Sequence, residues 1–102
     1  MSDPTMAWAT DGVVMQRGLA EDKHAIDEFS GVMLEKLREN RHKAHWSKVD
    51  RLWLLARLEQ ELQELKQAIN EDDPLSISYE CADVANFAMM IADNEARNDG
   101  VY

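Results

Sequence analysis

The sequence predicts an all-α protein, a helical bundle of antiparallel helices completed by homo-oligomerisation. Three observations lead there. Apolar residues recur at spacings of three and four over three segments, about 21–43, 47–70 and 74–97. The last two are joined by a short polar connection, which favours antiparallel neighbours. The third segment is apolar over most of its circumference, and three helices in a 102-residue chain cannot bury all of that surface.

The first 20 residues read as an N-terminal arm, either packed or mobile, ahead of a helical domain over 21–102. Ser2, Asp3, Pro4, Thr5, Asp11, Gly12 and Gly18 are turn formers, while Trp8, Val13, Val14 and Met15 are apolar. The first helix is expected from Glu21 to Lys43, with Ile26, Phe29 or Ser30, Met33 and Leu37 as its stripe and Val32 and Leu34 widening it. Asn40 to Trp46 is a basic and aromatic patch in an otherwise acidic chain. Ser47 reads as an N-cap, with Asp50 completing a variant capping box. The second helix then carries Leu55, Leu58, Leu62, Leu65 and Ile69 as a continuous seam to about Asn70. Asp73 can cap a third helix with Pro74 in its first position. That helix presents Ile77, Cys81, Val84, Ala88 and Ile91 as a main stripe, with Phe87, Met89 and Met90 on other sides. Residues 98–102 form a short tail.

Composition excludes some functions. The net charge is −9, with 20 acidic residues against 11 Lys and Arg. Coating a nucleic-acid polymer calls for a basic footprint, so no such partner is expected; a single nucleotide screened by a cation stays open. Cys81 has no partner for an internal disulfide and reads as a small buried residue of a cytoplasmic protein. No signal peptide is visible, and no apolar run reaches the roughly 20 residues of a membrane span.

Two acidic pairs mark the chemistry. Glu61 and Glu64 are three apart on the second helix, and Glu80 and Asp83 are three apart on the third. Residues at that spacing share a helix face, so an antiparallel hairpin can bring four carboxylates to one site. A lone pair of this kind is commonplace on a solvated helix face. The second pair says more, because the third helix has no Lys or Arg between Glu80 and Ala96 to neutralise it. Unpaired buried acids protonate or destabilise a fold. A divalent cation resolves that conflict, and carboxylate-only ligation points to Mg²⁺, with Mn²⁺ as a possible substitute. A di-iron bundle would need Glu-x-x-His pairs, which positions 64 and 83 do not supply.

Glu61-Leu-Gln-Glu64 followed by Glu80-Cys-Ala-Asp83 resembles the signature of the MazG-like all-α nucleoside triphosphate pyrophosphohydrolases. The surroundings are similar too: Asn40, Lys43 and Trp46 at the end of the first helix, the leucine-rich run around Glu61, and Ala82 to Phe87. The resemblance covers about Phe29 to Asp93. It implies Mg²⁺-dependent hydrolysis of a (d)NTP to the monophosphate and pyrophosphate, as house-cleaning of the nucleotide pool, by a homodimer or homotetramer. Glu61, Glu64, Glu80 and Asp83 are then the metal ligands, with Glu61 and Glu64 also the candidate catalytic bases. Trp46 and Phe87 could stack on the base, and Lys43, Asn86 and Arg97 could reach phosphate or sugar. Core packing competes for Trp46 and Phe87 and is favoured for Trp53; a solvated surface charge competes for Lys43 and Arg97. His42 and His45 have no further His or Cys nearby and read as surface or substrate-edge residues, not a zinc site. Two other readings stay open: a dUTPase-type specialist on the same fold, and a non-enzymatic acidic interaction bundle.

Overall fold

The computed structural model describes residues 12–98, with side-chain surroundings from Gly18 to Asn98. It contains helices α1 (Gly12–Glu39), α2 (Arg51–Glu71) and α3 (Pro74–Asn98), a 3₁₀ turn (Trp46–Lys48), and no strand among the described residues. The chain is all-α, and no helix in the described range is long and apolar enough to cross a membrane. The described residues fall into two units that divide between Gly31 and Val32.

In the first unit α1 begins at Gly12, not Glu21. No proline interrupts this stretch, and Gly18 and Gly31 are tolerated inside a helix at a cost of about 1 kcal/mol each. The expected arm is therefore helical from residue 12; residues 1–11, and the tail beyond 98, lie outside the described residues. Lys23 pairs with Asp27 at 2.6 Å and His24 lies 3.0 Å from Glu28, both one turn apart on an exposed surface. Such pairs add about 0.2–0.5 kcal/mol each. Ile26, expected on the buried stripe, is exposed, whereas Phe29 is half-buried.

In the second unit α1 stops at Glu39, four residues before Lys43. The Asn40 side chain donates to the Lys36 carbonyl at 2.9 Å, and its N–H reaches back to Leu37 O at 3.1 Å. These bonds use up carbonyls that end the helix. Ser47 does not cap α2. It lies in the 3₁₀ turn, which His45 Nδ1 caps by accepting from the Ser47 N–H at 3.1 Å. The α2 cap is Asp50, whose carboxylate accepts from the Leu52 N–H at 2.8 Å. A charged acceptor also suits the positive end of the helix dipole.

Asp72 ends α2 in the left-handed conformation, φ 54°, and its N–H donates to Ile69 O at 3.1 Å. Asp73 then caps α3 as expected. Its carboxylate accepts from the Leu75 N–H at 3.2 Å and from the Ser76 hydroxyl at 2.8 Å, with Pro74 in the first turn. Two residues thus turn the chain between α2 and α3, which pack as neighbours.

The face α2 buries is Leu54, Glu61 and Ala68, seven residues apart. The leucine seam is turned away from it. Leu58 and Leu65 are half-buried, and Leu55, Leu62 and Ile69 are exposed. Small residues explain the phase: Ala68 and the fully buried Ala82 of α3 sit on the inner faces of the two helices. Along α3 only Ala88 and Ala92 are exposed between Ser76 and Ala96, so Ala88 does not belong to a buried stripe. The fully buried positions of α3 are Ala82, Asn86 and Asn94.

Candidate metal centre and adjoining cleft

The hairpin brings Glu61, Glu64 and Glu80 together. One carboxylate oxygen from each lies within 4.8 Å of the others, close enough to share one cation. Glu61 comes from the buried face of α2 and is only 6 % exposed. Glu64, one turn on, is exposed, and Glu80 reaches in from α3 and is half-buried.

Three acids in one place perturb one another. Glu61 is pushed up to about 8, first by burial, then by its hydrogen bond to Glu64 and the charges of Glu64 and Asp83, against the opposing Arg57. Glu80 is raised by burial and then by the charges of Glu64 and Asp83. Oε2 of Glu61 and Oε2 of Glu80 are both buried without a hydrogen-bond partner. A buried carboxylate oxygen left unpaired is expensive, and a hard cation removes the expense by taking up both oxygens. The donor set therefore fits a divalent ion held by Glu61, Glu64 and Glu80.

The expectation that the α3 pair lacks a cationic partner is corrected for Asp83. Arg57 Nη2 lies 3.0 Å from Glu61 Oε1, one turn earlier on α2. Lys36 Nζ, from α1, lies 3.6 Å from Asp83 Oδ2. Lys36 comes from α1, so a search along α3 alone misses it. Asp83 is also not in the group of three. Burial raises it and Lys36 draws it back down.

Beside the acids lies a cleft of about 690 Å³, whose lining includes the charged Lys36, Arg57, Glu61 and Asp83 as well as Lys43, His45, Trp46, Trp53, Asn86 and Phe87. Its size is that of a small-molecule site. Trp46 forms part of the wall and is held there. Its indole N–H donates to Asp93 Oδ2 at 3.0 Å, and its ring stacks on His45 with centroids 4.0 Å apart. Asp93 is lowered by that hydrogen bond and by Arg97, whose Nε also donates to Oδ2 at 3.0 Å. Trp53 is 55 % exposed and faces the cleft, against the expectation of core packing. Phe87 is half-buried with the Arg57 guanidinium 5.4 Å over its ring.

Two of the residues expected to touch a substrate have hydrogen-bond partners within the protein. Asn86 is buried, and its amide donates to Met33 O at 3.0 Å, tying α3 to the end of α1. Arg97 sits with Asp93 and does not line the cleft. Lys43 does line it and is exposed, whereas His42 does not line it. Sequence reading missed Lys36, Arg57 and Asn94. Asn94 donates from Nδ2 to Trp46 O at 2.9 Å and to Val49 O at 3.4 Å, fixing the 3₁₀ turn on α3. The available signal was an amide at positions 86 and 94, eight apart and so about 80° from one another around an apolar helix. Comparison with protein-family models, with curated proteins and with solved structures finds no match.

Proposed function

We propose that this chain is a divalent-metal-dependent nucleoside triphosphate pyrophosphohydrolase of the MazG-like kind, cleaving a (d)NTP to the monophosphate and pyrophosphate with Mg²⁺ as its cation. One observation carries the reading: two buried carboxylate oxygens, of Glu61 and Glu80, lack hydrogen-bond partners within a cluster that Glu64 completes, and Glu61 also lines an aromatic-walled cleft. A solvated helix face has no reason to bury such oxygens.

When bound, the cation neutralises phosphate charge and favours attack at phosphorus. The chain's own residues supply the rest. Glu61, Glu64 and Glu80 hold the ion. The basic groups in the cleft lining beside Asp83 and Glu61, Lys36 and Arg57, offset the remaining charge of the phosphates. Trp46 and Phe87 offer ring surface for a base, and Trp53 adds a third ring. Glu61 and Glu64 are the candidates for proton transfer. Asp83 joins the ligand set on the reading developed below.

We also infer a homo-oligomer, dimer or tetramer. Its support is the outer face of α2, where Leu52 is 69 % exposed and Leu55, Leu62 and Ile69 are exposed beside it. A row of this kind is the seam of a helix pair. Light scattering should give a mass of two chains or more, and the mass of one chain overturns the inference.

The direct test is a screen of NTPs and dNTPs with Mg²⁺, detecting pyrophosphate. Release that depends on the metal is expected. No pyrophosphate from any of them, with millimolar Mg²⁺ or Mn²⁺, overturns the function and leaves the non-enzymatic bundle.

A further inference from the structure

Lys36 holds a place that neither a structural lysine nor a surface lysine takes. Its ammonium lies 3.4 Å from Glu39 Oε2, 3.6 Å from Asp83 Oδ2 and 5.4 Å from the centre of the Tyr79 ring. The side chains of Lys36 and Asp83 are 19 % and 20 % exposed, so the pair is mostly withdrawn from water. Yet neither contact has the 2.7–2.9 Å length of a charge-assisted hydrogen bond. The lysine is enclosed by its partners without being locked to any of them. It also lines the cleft, as Glu61 and Asp83 do.

Asp83 is the odd member of its pair. Glu80, three residues before it, joins the cluster of three, while Asp83 faces Lys36. The contact it keeps is weaker than the one open to it. A divalent ion at the roughly 2.1 Å of a Mg²⁺–carboxylate bond attracts a carboxylate about three times as strongly as one positive charge at 3.6 Å, at equal dielectric.

We propose that Lys36 is a placeholder cation: it neutralises Asp83 while no divalent ion is present, and it turns to the anionic phosphates in the cleft when Asp83 joins the ion. This rests on the metal-dependent reading above and extends it to the order of events. Metal and phosphate binding become coupled through one lysine. Loading the metal frees a positive charge next to the substrate, and bound phosphate, by occupying Lys36, leaves Asp83 to the metal. By linkage each ligand tightens the other by the same factor.

The test uses Mn²⁺ alone, titrated by electron paramagnetic resonance, and then inorganic triphosphate in the presence of Mn²⁺, titrated by calorimetry. Lys36→Met frees Asp83 from its partner. It should bind Mn²⁺ about five-fold more tightly than the parent, the scale of one ion pair, and bind triphosphate more weakly. Lys36→Arg keeps the charge and should leave Mn²⁺ affinity near that of the parent. Lys36→Met in an Asp83→Asn background should bind Mn²⁺ no more tightly than Asp83→Asn alone. Circular dichroism melts identify any variant that fails to fold, and the Asp83→Asn background remains readable if Lys36→Met does not. Unchanged or weaker Mn²⁺ binding by Lys36→Met, or tightening that persists without Asp83, overturns the placeholder while the metal site stands. A parent protein that binds no Mn²⁺ overturns both.

Discussion

The two acidic pairs have the same spacing and opposite surroundings. On α2 the first acid, Glu61, is buried against Arg57, and the second, Glu64, is exposed. On α3 both acids are half-buried; the first, Glu80, turns into the cluster and the second, Asp83, pairs with Lys36. Spacing therefore places carboxylates on a face, and the neighbouring helix decides what each one meets. Glu61 is held in a mostly unfavourable place, where Arg57 offsets only part of the cost. Asp83 already has a compensating charge. The difference predicts opposite responses to the loss of a charge.

The largest effect is on catalysis. Glu61→Gln and Glu80→Gln each remove a charge from the cluster, and each should lose roughly 10²-fold or more in pyrophosphate release. Glu64→Gln and Asp83→Asn should lose activity on the same scale if all four acids serve the ion. Glu71→Gln changes an exposed residue at the end of α2, outside the cluster, and should be near neutral. Motif variants as active as Glu71→Gln would show the two pairs to be surface decoration.

Next comes stability without metal. Glu61→Gln should raise the melting temperature at pH 8, because a neutral amide is easier to bury than an unpaired carboxylate oxygen. Asp83→Asn should lower it or leave it unchanged, because it removes one of the two carboxylate partners of Lys36. The same sign for both variants would mean that burial, not the partner, governs the two sites.

The pH dependence sharpens the point. Glu61 holds its proton in the folded state up to about 8, above its ordinary 4.5. A folded-state value raised above the unfolded one gives stability that is complete below the unfolded value and is lost as pH rises through the folded one. The metal-free protein should therefore melt progressively lower between pH 4.5 and 8, and Glu61→Gln should flatten that slope. Millimolar Mg²⁺ should raise the melting temperature, most of all near pH 8, where the carboxylate is free to bind it. A flat profile in the parent would place Glu61 in water.

The smallest effect expected is at the turn. Asp73→Ala removes the α3 cap and should cost about 1 kcal/mol, read by denaturant melts, without changing which acids converge.

Much of this was legible in the sequence. The helical periods, the Asp73-Pro74 start of α3 and the meeting of Glu61, Glu64 and Glu80 depend on local spacing, and local spacing is what a sequence displays. What it hid was rotational and tertiary. The leucines at 55, 62 and 69 look like a core seam, yet Leu54, Glu61 and Ala68 face α3. A shift of one residue turns a helix by about 100°, and only the partner's shape selects the phase. Lys36 is 47 residues from Asp83, and Trp46 is 47 from Asp93. No window along the chain joins such pairs. Ser47 lost the α2 cap to Asp50, because two capping residues stood within one turn and the 3₁₀ turn claimed the first.

Asn94 and Asp93 hang the Trp46 turn from α3, ten residues beyond Asp83. At a rise of 1.5 Å per residue those ten residues span about 15 Å. One rod thus carries Asp83, in the cleft lining, together with the two residues that hold Trp46 there, so neither part of the lining can drift without the other.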